Sequence, residues 1–346
     1  MLKIYKTCED MTYPFTTAVT VTTEYRIYDS SGHTPDNNYT PLHSCVVLAG
    51  DHLEHLQDIL AQHVSISDRT NWNGQTITNS SNAEKSFFIY WSTDGWSSWS
   101  GPHEFKLYWD YDYGETSYDT TRYIANYKRS KPIEMILDDR QRFMFTVYNS
   151  GDTIGTIIVH NGQGYNYWTF NPATYGYVTY QLNLGASSQV PLSPLFYFNM
   201  YGVKEELVWQ VKRTCNRYVL YYVNRLGGWD TVLMNGKSVQ TEDAQASQFK
   251  QWSIYGSTTF GRKDYRKQLT QSWELTKTNL TDAQAAAMNQ IAFSNHIYLH
   301  DLETDLILPV NYVDTSFEWK KTRNNSNRLN QVTMNFRASQ DKFILN

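Results

Sequence analysis

The sequence feature that most constrains the fold is an alternation of apolar and polar residues with a period of two, repeated in short runs along the chain. Successive side chains of a β-strand point to opposite faces, so each run predicts a strand with one face on a core. The runs lie near residues 19–27, 105–109, 143–147, 207–211 and 332–338, and Asn- and Gly-rich turns follow several of them. This pattern predicts a mainly β chain built from sandwiches or barrels.

Two segments have helical periodicity instead. The first runs approximately from Asp51 to His63 and carries an apolar stripe of leucine and isoleucine. The second spans residues 281–294 and begins with the capping-box pattern Thr281-Asp282-Ala283-Gln284. Because strand-like runs lie on both sides of the second segment, we predict an α-helix inserted into a β-barrel.

The length of 346 residues allows two or three domains, each with its own core. We predict a β-sandwich domain over residues 1–160 and a β-barrel domain over residues 205–346. Residues 161–204 contain loose stretches of Gly, Asn, Ser and Pro with little periodicity. They are predicted to form a bridging segment.

Aromatic residues make up 15% of the chain and charged residues only 18%, below the quarter that is common in soluble domains. An uncharged polar surface can hydrogen-bond to a partner without desolvating many charges, although Tyr, Trp and Thr also simply favour strands. Both readings stay open. The net charge of −4 argues against a protein that coats nucleic acid. The basic cluster of Arg262, Lys263, Arg266 and Lys267 fits a solvated turn better than a phosphate site.

The location of the protein is predicted from its cysteines and its apolar stretches. Cys8, Cys45 and Cys215 are widely scattered and form no CxxC pair, which favours a reducing compartment. The first residues show no apolar signal-peptide region, and no apolar stretch is long enough to span a membrane. We expect a protein made in the cytoplasm that makes no membrane contact.

Candidate metal sites are weak. His52 and His55 share a helix face and could bind zinc, but solvent-facing histidines are the preferred interpretation. The segment 110–115 begins like a calcium loop, yet its glycine comes one position early and Thr121 stands where the bidentate acid belongs. The alternating acids Asp301, Glu303 and Asp305 would hold a cation only on an extended strand, and a polar strand end is preferred.

Signatures of catalysis are also missing. The chain contains no GxSxG, no GxxxxGK[ST] and no GxGxxG motif. A pair of acids acting as in a glycosidase is not excluded by sequence. We predict that the chain is not an enzyme and that it uses no cofactor and no metal.

The segment Trp96-Ser97-Ser98-Trp99-Ser100 matches the WSxWS box of cytokine-receptor modules, where tryptophans stack on basic side chains. Without other receptor features, a chance match in a Trp- and Ser-rich hairpin is preferred. An alternative function is carbohydrate binding by a β-sandwich, in which Trp91, Trp96 and Trp99 would stack on sugar rings. A glycan-cleaving tail enzyme is a third hypothesis.

A resemblance lies in the C-terminal part. Its landmarks are the stretch 221–233, then Gly236-Lys237, Phe260-Gly261-Arg262-Lys263, Ser272-Trp273-Glu274-Leu275, Met288, the stretch 298–303 and Pro309-Val310. In this order they resemble virion proteins of tailed phages that infect gut Bacteroidales, including crAss-like phages. The region is also similar to the hub or distal-tail class of phage β-barrels. The resemblance covers roughly residues 205–340.

The resemblance implies a structural subunit of a ring in the tail or in the head–tail connector of a virion. Such rings are commonly sixfold or twelvefold and surround a channel for DNA. The implied partners are copies of the chain itself and other virion proteins, with transient contact to passing DNA. A cyclic ring needs two different and complementary patches on each subunit.

One landmark of the resembling region is the segment Gly227-Gly228-Trp229-Asp230. The double glycine predicts a backbone with positive φ or a close approach, followed by an anchoring indole. We predict that these four residues are a landmark for assembly or structure. A tight hairpin turn with a core tryptophan is the alternative.

Overall fold

The computed structural model describes residues 3–6, 19–30, 32–37, 39–51, 60, 62–65, 72, 76–80, 84–108, 133–136, 142–149, 155–160, 165–170, 176–183, 195–200, 203–212, 218–224, 227–250, 262–280, 282–314, 319–324 and 327–345. In these residues the chain is mainly β, as the alternation predicts. None of the described helical residues belongs to a segment long and apolar enough to cross a lipid bilayer.

The described strands form four sheets. The first eleven are β1 (Lys3–Lys6), β2 (Thr23–Tyr28), β3 (His43–Val47), β4 (Thr76–Ser80), β5 (Glu84–Ser92), β6 (Ser100–Tyr108), β7 (Ile133–Ile136), β8 (Arg142–Asn149), β9 (Gly155–His160), β10 (Tyr165–Phe170) and β11 (Gly176–Asn183). The remaining strands are β12 (Leu195–Met200), β13 (Val203–Lys212), β14 (Tyr218–Val223), β15 (Trp229–Met234), β16 (Ser238–Lys250), β17 (Arg262–Leu280), β18 (Ile297–Asp301), β19 (Leu306–Tyr312), β20 (Trp319–Asn324), β21 (Asn327–Ala338) and β22 (Lys342–Leu345). Helix α1 (Asp282–Ala292) lies between β17 and β18.

The N-terminal sheet has the order β1-β6-β5-β2-β3. Its central strand β5 is covered on both faces, which explains the unbroken apolar run at residues 87–91. Phe87 and Ile89 pack in one cluster with Leu60. Phe88 and Tyr90 belong to a second cluster on the opposite face. The run at residues 19–27 becomes a strand only from Thr23 onward.

Two further sheets occupy the middle of the chain, with the orders β4-β11-β8 and β10-β9-β12-β13-β7. The segment 161–204, expected as a connection, contains β10, β11 and β12. These strands pair with strands from both sides of the segment in sequence, for example β11 with β4 and β12 with β13. The division into domains stays a prediction.

The C-terminal sheet contains nine strands, seven of them in the order β15-β14-β18-β19-β21-β17-β16. In addition, β20 pairs with β21 and β22 pairs with β17. The edge strands β15 and β16 do not pair with each other, so the strands that the structure describes do not close a barrel.

Helix α1 packs against the C-terminal sheet, where Ala285, Met288 and Ile291 join its core cluster. The predicted helix at 281–294 is therefore confirmed in position and in buried face. In β21 the alternation is also confirmed, since the side chains of Val332, Met334 and Phe336 are buried. The predicted helix from Asp51 to His63 lies mostly outside the described residues, although Leu60 is helical and buried.

Candidate functional site

The predicted Gly-Gly-Trp-Asp landmark lies where the turn after β14 leads into β15. Gly227 has a φ of 84°, a left-handed conformation that favours glycine. Asn224 braces the turn, since its side-chain oxygen accepts the Gly228 N–H at 3.0 Å and its nitrogen donates to Asp230 Oδ2 at 3.0 Å. Trp229 is buried in the interior of the chain. The segment therefore combines a left-handed glycine with a core tryptophan at the start of β15.

Trp229 also connects the C-terminal sheet to the three-stranded sheet. Its backbone N–H donates to Thr146 Oγ1 on β8 at 2.9 Å, and the Thr146 hydroxyl lies 2.9 Å from the hydroxyl of Thr179 on β11. The indole of Trp72 packs against Trp229 and Tyr298 at ring-centroid distances of 6.4 and 5.0 Å. These contacts join Trp72 and strands of two sheets, the C-terminal sheet and the three-stranded sheet.

A chain of buried polar groups crosses the same region. The Arg142 N–H donates to Tyr221 Oη at 3.2 Å, and Tyr221 Oη lies 3.0 Å from His300 Nδ1. His300 Nε2 lies 2.9 Å from Asp305 Oδ1. The tyrosine oxygen accepts from Arg142, so we assign the Tyr221 O–H as the donor and His300 Nδ1 as its acceptor. The proton of the His300 ring is then on Nε2, which donates to Asp305.

The Arg142 side chain extends this network. Its Nε donates to the carbonyl oxygen of Trp72 at 2.7 Å, and Gln181 Nε2 donates to the same oxygen at 2.9 Å. Its Nη1 lies 3.5 Å from Asp305 Oδ1. Buried polar groups specify packing when they are bonded in this way. The network therefore links β8 of the three-stranded sheet to β14 and β18 of the C-terminal sheet, and sequence reasoning missed it.

A Tyr–His–Asp chain can in principle move a proton, but here a substrate has no access to its central groups. The side chains of Tyr221 and His300 are both 0% exposed. Only Asp305 reaches solvent. The one sequence signal for this network is His300 itself, a polar residue inside the apolar strand β18.

The three tryptophans of the predicted carbohydrate platform are placed on different faces of the N-terminal sheet. Trp91 packs on the cluster of Tyr25 and Ile27. Trp96 and Trp99 pack on the opposite cluster, with Tyr28, Phe88 and Tyr90. The structure therefore brings Trp96 and Trp99 together and leaves Trp91 apart.

The WSxWS match forms the loop between β5 and β6. Arg26 lies over the Trp96 ring, with its Cζ 4.1 Å from the ring centroid, and the Trp96 indole N–H donates to Glu24. The Trp99 indole N–H donates to Asp36 Oδ1 at 3.0 Å. A cation over an indole face stabilises a protein by about 0.5–1 kcal/mol at exposed sites. The stacking on a basic side chain is thus present, and the N–H groups of both indoles bond to side chains of this chain.

Asp94 organises the same loop. The Ser98 hydroxyl and the Ser98 N–H donate to its carboxylate, and the Ser92 hydroxyl donates to it at 2.7 Å. These hydrogen bonds, that from the Ser98 hydroxyl first, hold the pKa of Asp94 at about 2. Ser98, a serine of the motif, thus serves the local turn.

The predicted metal-binding patterns fall in different places. His52, His55 and the segment 110–115 lie outside the described residues. The acids at 301–305 do not alternate along one extended strand, because β18 ends at Asp301 and a turn follows it. Asp301 Oδ1 accepts the Glu303 N–H at 3.0 Å in that turn. Among the described residues, no group of three or more His, Cys, Asp or Glu side chains is arranged to hold a metal ion.

Strand β16 is the surface feature that stands out. It runs for 13 residues at the edge of the C-terminal sheet, and within the described chain it pairs with β17 alone. Residues 238–248 are exposed without interruption, so both faces of the strand meet solvent. Globular strands are usually about 5–6 residues long, and long exposed edges offer unpaired N–H and C=O groups to other chains.

The base of this strand is anchored. The Gly236 N–H donates to the Thr276 carbonyl at 2.7 Å, and the Thr276 N–H donates to the Lys237 carbonyl at 3.0 Å. Asn235 Oδ1 accepts the Thr278 N–H at 2.8 Å. The start of β16 is therefore fixed against β17.

No protein-family model matches the chain, and no curated protein matches it either. Its function must be inferred from its residues and from the surfaces that the fold presents.

Proposed function

We propose that the chain is a structural, non-enzymatic subunit that assembles with copies of itself. The observation that carries the proposal is the exposed edge strand β16, 13 residues long, whose outer side pairs with no other described strand. Its backbone groups can extend the sheet of a neighbour by β-strand addition.

The sequence of β16 supports this role. Natural edge strands are commonly protected by charged side chains, lysine above all, by proline, by bulges or by short length. Between Ser238 and Ser247 the strand carries neither lysine nor proline, its charged residues are Glu242 and Asp243, and its register shift comes only after Ser247. Ten residues are thus open to pairing, which is expected of an edge that is covered in an assembly.

The particular assembly that we propose is a cyclic ring in the tail or the head–tail connector of a tailed phage, located in the virion. The support is the order of landmarks in residues 205–340, the region that contains β16. A sandwich followed by a barrel with an inserted helix belongs to the same proposal, and α1 between β17 and β18 supports it. Other virion proteins would be its neighbours, and DNA would pass through the channel.

The carbohydrate-binding alternative has less support. Its platform needs three exposed indoles on one surface, whereas Trp91 packs on the face opposite Trp96 and Trp99. The Trp96 ring is also covered on one side by Arg26.

The experiment is a mass measurement of the purified full chain by light scattering and electron microscopy. We expect closed rings whose mass is a multiple of the monomer mass. The double variant T241K/A244K places a charge on each face of the β16 edge and is expected to give folded monomers. S44K on the edge strand β3 is the matched control and should leave the rings intact. A wild-type chain that is monomeric at micromolar concentration would overturn the proposal.

A further inference from the structure

We propose that the edge strand β3 of the N-terminal sheet pairs with β3 of a second copy of the chain across a two-fold axis. This contact goes beyond the proposed function, because it does not use the β16 edge. Strand β3 is the last strand in the order β1-β6-β5-β2-β3, and among the described residues it pairs with β2 alone. Its outer N–H and C=O groups can therefore extend the sheet by a further strand.

The solvent side of β3 carries aliphatic residues. Val46 is 58% exposed and Leu48, directly after the strand, is 60% exposed, whereas Val47 between them is buried in the core. Val46 lies opposite Glu24 of β2, whose carboxylate accepts the Trp96 indole N–H. Val46 is therefore on the same face of the sheet as the loop between β5 and β6. Exposed aliphatic residues on an unpaired edge strand favour association with another strand.

The strand lacks most of the features that keep sheet edges apart. Edge strands are commonly protected by charged side chains, proline, bulges or short length. Residues 44–49 have the sequence SCVVLA, without charge or proline, and β3 pairs with β2 without a register shift. Short length is the protection that β3 has, since it contains five residues. The edge is thus open to a contact of limited strength.

The chemistry of this edge favours a second copy of the chain as its partner. A partner strand with charged side chains would have to desolvate them against Val46 and Leu48. A second β3 presents the same aliphatic side chains and places no like charges opposite each other. In the antiparallel register centred on Val46, this residue lies opposite Val46 of the second copy, and Leu48 lies opposite Ser44. Apolar cross-strand pairs of this kind stabilise a sheet that continues through both copies.

The size and symmetry of the contact fix its place in an assembly. Stable interfaces usually bury about 1,200–2,000 Å², more than one pair of five-residue strands provides. A two-fold contact uses the same patch on both subunits, so it cannot join neighbours in a cyclic ring. The simplest closed assembly with both contacts is a pair of rings, in which several β3 contacts act together. When the β16 edge is blocked, single β3 contacts should dissociate at micromolar concentration.

Disulfide cross-linking tests the pairing. The variants C45S/V46C and C45S/S44C each remove the native thiol of β3 and place one new thiol on its exposed face. In the proposed register the two thiols at position 46 face each other, at a Cα separation of about 4.5–5.5 Å that a disulfide can span. The thiols at position 44 lie about 13 Å apart along the strands, which is too far. Mild oxidation should therefore give a covalent dimer of C45S/V46C alone, as read by non-reducing electrophoresis and peptide mass spectrometry.

The variant S44K is the second test. It places a charge opposite Leu48 of the second copy, and we expect the particle mass in light scattering to fall by half while each ring stays closed. S44K particles of wild-type mass would overturn the pairing. Circular dichroism shows that the variant is folded.

The outcomes separate this pairing from the proposed function. Wild-type rings without selective cross-linking at position 46 would overturn the β3 pairing and leave the proposed assembly standing. Equal cross-linking of both cysteine variants would indicate random collisions and would also overturn the pairing. Selective cross-linking at position 46 in a chain that forms no rings would support the β3 pairing and overturn the proposed assembly.

Discussion

Tyr221 Oη and His300 Nδ1 lie 3.0 Å apart, and both side chains are completely buried. The contact is diagonal across two strands, because Tyr221 of β14 lies opposite Tyr298 of β18 and His300 is two residues further along. The Arg142 N–H donates to the same hydroxyl from β8. One phenol oxygen thus connects the C-terminal sheet to the three-stranded sheet.

The variant Tyr221→Phe tests how much this contact contributes to the free energy of unfolding. It removes the acceptor of the Arg142 N–H and the donor to His300, and both groups stay buried. We expect the free energy of unfolding to fall by about 1–3 kcal/mol. Urea denaturation at a fixed protein concentration measures it. Tyr39→Phe, at an exposed tyrosine, is the control, and an equally small effect of both changes would contradict a structural role for the network.

Because Lys277 is buried, we expect the free energy of unfolding to increase with pH in the alkaline range. Its Nζ donates to the Leu233 carbonyl at 2.7 Å, and burial lowers the pKa of Lys277 to about 7. In the unfolded chain this group titrates near 10.5. Between these two values the unfolded chain binds more protons than the folded chain, so stability rises as the pH rises through this window.

The variant Lys277→Met isolates that contribution. The rise in the free energy of unfolding from about pH 7 to about pH 10 should be smaller than in wild type, by as much as about 4 kcal/mol. Lys237→Met removes an exposed lysine and should keep the wild-type rise. Urea denaturation across this range measures all three proteins. The same slope in wild type and Lys277→Met would show that this lysine titrates normally.

Gly236→Ala tests the anchored base of β16. A Cβ at this position would lie 2.7 Å from the Thr276 carbonyl oxygen and 2.8 Å from the Thr276 Cβ, closer than side chains approach in folded proteins. We expect a loss of about 1–3 kcal/mol in the free energy of unfolding, because the two backbone segments must separate. At Gly32 an added Cβ would meet Ser30 Oγ at 3.8 Å, an ordinary contact, so Gly32→Ala is the control.

The periodicity of the sequence was sufficient to predict β21 and α1, because period two and the helical stripe each define one buried face. The double glycine likewise predicted the positive φ at Gly227. Periodicity does not, however, predict which distant residues contact each other. Arg142 and Tyr221 are separated by 79 positions, and no local pattern indicates that they meet.

The exposed edge of β16 could not be predicted from the sequence for a related reason. The sequence of β16 is simply polar, and only the strand order shows that the strand lies at an edge with β17 on one side. For the three tryptophans, closeness in sequence wrongly suggested closeness in the fold. Trp91 and Trp96 are close in sequence, but Trp91 belongs to β5 and Trp96 to the following loop, so their side chains reach different faces.

The Trp-rich loop provides a last prediction, because Asp94 is held by hydrogen bonds from both serines that flank its turn. The depressed pKa of about 2 means that the folded loop favours the charged carboxylate. Its contribution to stability is present above the ordinary value of 3.8 and is lost as the pH falls towards 2. Acid should therefore loosen the loop that positions Trp96 and Trp99.

The Ser98 amide reports on this directly, since its N–H donates to Asp94 Oδ1 at 3.0 Å. In a ¹H–¹⁵N NMR titration its signal should move with a midpoint near pH 2, and Asp94→Asn should abolish that movement. Asp51→Asn, at another exposed aspartate, should leave it unchanged. A midpoint near 3.8 in wild type would mean that the serine hydrogen bonds do not favour the carboxylate, and the loop would then owe its shape to the packing of its two indoles alone.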